Sequence, residues 1–148
     1  MTTERIDLLL ADDDTDDCDF FKDALNDLPL STTLTTVHNG VELMKLLTQK
    51  EFNLPYALYL DLNMPRKNGF ECLAEIKLNE TLKQLPVIIF STSFDKEVVK
   101  LLYAQGADYY IRKPAEYSNL KKIILKSIIL IAESKRRQTA TEEFVISA

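Results

Sequence analysis

Two short apolar runs in this chain stop abruptly on carboxylates. Leu8-Leu9-Leu10-Ala11 runs into Asp12-Asp13-Asp14, and Tyr56-Ala57-Leu58-Tyr59-Leu60 runs into Asp61. A short apolar run bounded by charge reads as a buried parallel strand whose last residues reach the C-terminal edge of a sheet. That edge is where open α/β sheets bind ligands. If both strands share one sheet, like charges converge on a small volume, with a repulsion of about 1 to 4 kcal/mol per pair near a surface. Such a group either takes up protons or binds a cation.

The remainder of the chain alternates between the same two patterns. Asp16 to Leu28 has helical spacing, with Phe20, Phe21, Ala24, Leu25 and Leu28 on one face and Pro29 as its stop. A Thr-rich strand, Leu34 to Val37, passes through an Asn39-Gly40 turn into a helix from Val41 to Gln49. The strand Tyr56 to Leu60 leads through a Pro- and Gly-punctuated loop, Asn63 to Gly69, to a helix from Phe70 to Leu78 that buries Phe70, Leu73 and Ile76 or their neighbours. Pro86 opens a strand from Val87 to Phe90, which stops at Ser91-Thr92-Ser93. A helix from Lys96 to Gln105 closes on Gly106, a strand from Tyr109 to Ile111 stops at Arg112-Lys113-Pro114, and a last helix runs from Tyr117 to about Lys135. Five strand-helix pairs in strict alternation predict an α/β fold: a five-stranded parallel sheet, helices on both faces, right-handed crossovers. At 148 residues the chain is read as one domain, residues 1–133, followed by a polar tail, residues 134–148, outside the core. That tail holds Arg136-Arg137 and then Glu142-Glu143-Phe144-Val145-Ile146.

Composition narrows the function. A net charge of −5 argues against a nucleic-acid surface. Cys18 and Cys72 lack CxxC spacing and read as reduced thiols of a cytosolic protein. The single histidine, His38, has no partner for a metal site or a triad. The opening residues lack a secretory pattern, and the most apolar stretch, Ile123 to Ala132, is too short to span a bilayer. The expectation is a cytoplasmic protein with no membrane and no nucleic-acid partner.

The polar residues of interest all fall just past strand ends: Asp12, Asp13 and Asp14, then Asp61, then Ser91 and Thr92, then Lys113. Mg²⁺ takes oxygen ligands, typically one or two carboxylates with a phosphate and several waters. Lys113 adds a fixed positive charge, and Ser91 adds a hydroxyl donor. With Asp61 as nucleophile, these are the parts needed to hold and receive a phosphoryl group.

In this arrangement the chain resembles the receiver domains of two-component response regulators. The motifs are Leu-Leu-Leu-Ala-Asp-Asp-Asp, Asp61-Leu-Asn-Met-Pro-Arg-Lys-Asn-Gly69, Pro86-Val-Ile-Ile-Phe-Ser-Thr and Gly106-Ala-Asp-Tyr-Tyr-Ile-Arg-Lys-Pro114, in order, between Ile6 and about Ala132. The Asn-Met-Pro-Arg-Lys-Asn-Gly wording is similar to stand-alone regulators paired with hybrid or phytochrome-type kinases. The resemblance implies a flavodoxin-like (βα)5 fold with strand order 2-1-3-4-5. It implies Asp61 as phosphoacceptor, with a sensor histidine kinase or phosphotransfer protein as donor. Mg²⁺ is then held by Asp12, Asp13, Asp61 and the Asn63 carbonyl. Ser91 becomes the switch hydroxyl, with Thr92 beside it, Lys113 the salt-bridging lysine and Tyr110 the switch aromatic. The expected output is protein contact, on a surface of the fourth helix, fifth strand and fifth helix, or phosphate passed onward in a relay, because no room is expected for an output module after the last helix. In this reading the protein is not an enzyme beyond its own phosphorylation and dephosphorylation. The chain departs from the common pattern at Ala115, where a bulky apolar residue is usual.

Other readings stay open at this level. Asp12-Asp13-Asp14-Thr15 loosely resembles the opening motif of haloacid dehalogenase-type phosphotransfer enzymes, with Asp12 as nucleophile. A docking receiver independent of phosphorylation is a third possibility. Asp12 and Asp13 taken alone could be helix caps, and Asp14, Asp16 and Asp17 read as first-turn charges at a helix N-terminus. Ser91 or Thr92 alone would serve as an N-cap, and Tyr110 alone as a half-buried strand aromatic. The last helix carries Leu120, Ile123, Ile124, Ser127, Ile128 and Ile131 as a stripe facing the sheet, yet Leu125 and Ile129 point largely away from it. That second patch is expected to meet either another copy of the chain, in a homodimer, or the chain's own Phe144, Val145 and Ile146.

Overall fold

In the computed structural model the description covers residues 5–133 and 143–148. Five strands and five helices alternate: β1 (Ile6–Ala11), α1 (Thr15–Asn26), β2 (Thr32–Val37), α2 (Gly40–Leu47), β3 (Ala57–Leu60), α3 (Gly69–Leu78), β4 (Val87–Ser91), α4 (Lys96–Ala104), β5 (Tyr109–Arg112) and α5 (Tyr117–Glu133). A further short strand, β6 (Val145–Ile146), follows. All pairings are parallel, in the order β2-β1-β3-β4-β5-β6. The expected order 2-1-3-4-5 holds, and the sheet has six strands rather than five.

The sixth strand corrects the reading of the tail as lying outside the core. Phe144 and Ile146 are 1% and 3% exposed. Three consecutive apolar residues in a polar segment are enough to cover the edge of β5, which would otherwise present unpaired backbone groups. The last helix ends at Glu133 in the described part, so the expectation for Lys135, Arg136, Arg137 and Glu142 lies outside the described residues.

The sheet separates two apolar layers. On one face Leu9, Ala11, Leu58, Leu60, Val87, Ile89 and Tyr110 pack with α2, α3 and Leu102 of α4. On the other Leu8, Leu10, Tyr59, Ile88, Phe90 and Ile111 pack with Phe21, Ala24 and Leu25 of α1 and with the predicted stripe of α5. β3 and β4 are buried along their whole length, as strands covered on both faces must be. A polar contact crosses this core: the Tyr59 hydroxyl lies 2.6 Å from Ser127 Oγ, and that hydroxyl donates to the Ile124 carbonyl at 2.7 Å.

Local signals explain most of the boundaries. Asp14, Asn39, Asn68 and Asp95 cap α1, α2, α3 and α4, each accepting backbone N–H groups of the first turn. Asn68 and Glu71 complete a capping box on α3. Asn39-Gly40 is therefore the start of α2 rather than a separate turn. Ser91 is the last residue of β4 and not a cap. Gly106 has φ +97, the left-handed conformation that ends α4 at little cost only for glycine.

Candidate functional site

The strand order reverses between β1 and β3, so connections leave in opposite directions there and open a cleft at the C-terminal edge. Register then decides which side chains meet. Ala11 pairs with Leu60, so Asp12 and Asp61 are the next residues on adjacent strands, joined by an N–H of Asp61 that donates to the Ala11 carbonyl at 3.0 Å. Across the sheet Ser91 pairs with Arg112, and the Lys113 N–H donates to the Ser91 carbonyl at 2.8 Å. Residues far apart in sequence thus share one rim.

Carboxylate oxygens of Asp12, Asp13 and Asp61 lie within 4.8 Å of one another. Asp12 is fully buried and Asp61 is 6% exposed, whereas Asp13 is open to solvent. Lys113 reaches in from the β5 side, with its ammonium 2.6 Å from Asp12, 2.8 Å from Asp17 and 3.6 Å from Asp61. Burial pushes the Asp61 carboxyl up from 3.8 to about 6; Lys113 opposes the rise and Asp12 adds to it. Burial would lower the Lys113 pKa, but its hydrogen bonds to Asp12 and Asp17 outweigh that and raise it. The donor set is all oxygen, crowded, incompletely neutralised by one lysine and open on the Asp13 side. Those properties fit a hard divalent cation.

Asp17 is the first-turn charge the sequence implies, but its ion pair with Lys113 was not legible there. Its carboxylate leaves the first turn of α1 to bind Lys113, so it belongs to the charge network of the site as well as to the helix. The only available signal was its position one turn past the end of β1, which is indistinguishable from an ordinary helix N-terminal acid. Asp14, by contrast, is the N-cap, accepting from the Asp17 N–H at 3.0 Å. His38 and Cys18 both contact the Asp12 carbonyl, through Nδ1 at 3.0 Å and Sγ at 3.5 Å, and so support the strand end.

Ser91 is buried and its Oγ lies 3.0 Å from Ser93 Oγ, while Thr92 between them is exposed. Tyr110 is fully buried, and its hydroxyl donates to the Ser93 carbonyl. Burial raises the Tyr110 pKa, against hydrogen bonds with Ser91 and Ser93. Asn63 is exposed in the β3–α3 loop, two residues past Asp61. The approach of that loop requires Gly69: a Cβ there would lie 2.3 Å from the Asp61 carbonyl oxygen. Leu125 is half-buried and Ile129 is 49% exposed, so the described tail does not cover that patch and pairs with β5 instead.

The family description "Response regulator receiver domain" matches residues 8–125. The chain belongs to the response regulator receiver family. It is 31% identical over 121 residues to response regulator Rcp1 of Synechocystis sp., covering 79% of this chain and 82% of that protein. Against the probable C4-dicarboxylate response regulator DctR of Bacillus subtilis it is 32% identical over 119 residues, which is 80% of this chain and half of that relative. The phosphorylated cyanobacterial phytochrome response regulator RcpA superposes with a TM-score of 0.77 at 32% identity, covering 93% of this chain and all of that one. The Mn²⁺-bound form of Rcp1 gives a TM-score of 0.72 at 30% identity, covering 91% and 96%.

As a receiver of two-component, phosphorelay signalling, the chain is homologous to regulators whose family takes a phosphoryl group on an aspartate with Mg²⁺. Receivers of this family act between histidine kinases and downstream targets. The dehalogenase alternative falls with this assignment. Asp12 is fully buried and paired with Lys113 at 2.6 Å. Among the described residues no helix is long and apolar enough to cross a membrane.

Proposed function

We propose that Asp61 is the phosphoacceptor of a stand-alone cytoplasmic switch, phosphorylated by a sensor histidine kinase or a phosphotransfer protein. The observation that carries this reading is the convergence of Asp12, Asp13 and Asp61 within 4.8 Å beside the Lys113 ammonium. Asp12, Asp13, Asp61 and the Asn63 carbonyl would hold Mg²⁺, which when bound neutralises charge on the phosphoryl oxygens. Lys113 supplies the second positive charge. Asp61 attacks the phosphorus in line; the P–N bond to the donor histidine breaks as the P–O bond to Asp61 forms. Ser91, with Thr92 beside it, hydrogen-bonds the new phosphoryl oxygens. The phosphoryl group then holds Tyr110 in its buried position, which sets the surface made by α4, β5 and α5. The likeness to the phytochrome response regulator RcpA supports a phytochrome-type kinase as the donor. The chain catalyses only its own phosphorylation and dephosphorylation, and neither nucleic acid nor membrane is a partner.

The test is incubation with Mg²⁺ and acetyl phosphate followed by intact mass. One added phosphoryl group that vanishes in Asp61→Asn is the expected result. Absence of label in the wild type would leave a phosphorylation-independent docking receiver. A homodimer through α4, β5 and α5 is also proposed, with Leu125 and Ile129 on its α5 part; Ile129→Lys should then convert a dimer to a monomer in sedimentation.

A further inference from the structure

The edge of β5 is filled by the chain's own tail in a manner specific in both backbone and side chains. The Tyr110 N–H donates to the Phe144 carbonyl at 2.9 Å, and Tyr110 and Ile111 pair with Val145 and Ile146. Phe144 sits on the α4 face, its ring 5.3 Å from that of Tyr103 and 6.4 Å from that of Tyr110. Ile146 is buried on the opposite face, in the layer of Tyr109, Ile111 and Ile123. Beyond it Lys126 donates to the Ser147 carbonyl at 3.0 Å. Main-chain pairing plus alternate side-chain pockets is the chemistry of peptide recognition by strand addition.

This docking is in contact with the switch aromatic. Tyr110 is enclosed by Phe94 on one side, at 5.8 Å between ring centroids, and by Phe144 on the other. Its hydroxyl is held by the carbonyl of Ser93, whose side chain meets that of Ser91. Phe144 therefore packs beside Tyr110 in its buried position.

We propose that the β5 edge and the pocket between Tyr103 and Tyr110 form a strand-addition site for an extended Phe-x-Ile segment. The chain's own residues 144–146 fill it, and its occupancy is coupled to the phosphoryl site through the inward position of Tyr110. Resting on the Asp61 reading above, the coupling is positive. The docked tail and the phosphoryl group select the same packing of Tyr110, so each strengthens the other's binding, and the linkage is reciprocal.

The test is amide hydrogen exchange on the full chain with Mg²⁺, with and without beryllofluoride as a noncovalent phosphoryl mimic, at two protein concentrations. The reporters are the Tyr110 amide, which the tail carbonyl accepts, and the amides of residues 145–148. Protection should rise at least about fivefold with beryllofluoride, and Phe144→Ala should weaken beryllofluoride binding by the same factor. Unchanged or reduced protection, in protein that acetyl phosphate still labels on Asp61, would overturn the coupling and leave the phosphoacceptor reading intact. Failure of acetyl phosphate to label Asp61 would remove the reading beneath it. Protection that collapses on dilution would move the strand to a second copy and overturn docking within one chain.

Discussion

The Lys113 ammonium is 2.6 Å from Asp12 but 3.6 Å from Asp61, so the lysine neutralises the buried neighbour more fully than the proposed acceptor. Asp17 takes a further share of it at 2.8 Å. Asp61 is left buried and underneutralised, poised to gain from a divalent cation or to hold a proton.

Removing the lysine should therefore expose the cost of Asp12. That carboxylate is fully buried, and deleting the partner of a buried ion pair costs about 3 to 5 kcal/mol. Lys113→Ala should lower stability to chemical denaturation by an amount in that range in chelator. Mg²⁺ should restore part of the loss, because it replaces the missing positive charge. Equal losses with and without Mg²⁺ would argue against a cation at the acidic cluster.

The raised Asp61 pKa makes a signed prediction. The native state binds this proton more tightly than the unfolded chain, with a pKa of about 6 against 3.8. Without metal, stability from this group is greatest below the lower value and declines as pH rises through the higher one. Asp61→Asn should therefore melt several degrees higher than wild type above about pH 6, with the gap closing toward about pH 4. Adding Mg²⁺ at neutral pH should raise the melting temperature of the wild type alone. Thermal melts across that window read both effects.

Two glycines should separate stability from chemistry. At Gly69 a Cβ meets the Asp61 carbonyl oxygen at 2.3 Å and the Leu62 Cα at 2.9 Å, and neither backbone atom can yield without shifting Asp61. Gly69→Ala should cost about 1 to 3 kcal/mol and reduce labelling by acetyl phosphate. At Gly106 the added methyl would meet only the flexible Lys77 side chain, at 3.4 Å, but the φ of +97 disfavours any L side chain. Gly106→Ala should cost about 1 kcal/mol and leave labelling unchanged.

The buried hydroxyl pair predicts an asymmetry. Ser127→Ala leaves the Tyr59 hydroxyl without its acceptor in the core, at about 1 to 3 kcal/mol. Tyr59→Phe leaves Ser127 still bonded to the Ile124 carbonyl and should cost less. Denaturant midpoints of the two variants give the order directly.

Much of this molecule was legible before folding because the relevant signals are local. Apolar runs that end on Asp12, Asp61, Ser91 and Lys113 mark strand ends. The stripe from Leu120 to Ile131 marks a helix face, and alternation of the two patterns implies a parallel sheet. The bounds of β2 and β4 shifted by one or two residues, because cross-strand pairing and not composition ends a strand. Asp17 is the first-turn charge its spacing implies, and only the reach of Lys113 from β5 reveals its second partner. The tail was misjudged because three apolar residues carry no period.

From the sequence alone came the order of elements, the family and the set of groups delivered to one rim, since each depends on residues near one another in the chain. Tertiary structure alone decided how Lys113 divides itself among Asp12, Asp17 and Asp61, and where Phe144 comes to rest. Those outcomes depend on distances between segments about a hundred or dozens of residues apart, set by sheet register and by the burial that a closed core imposes.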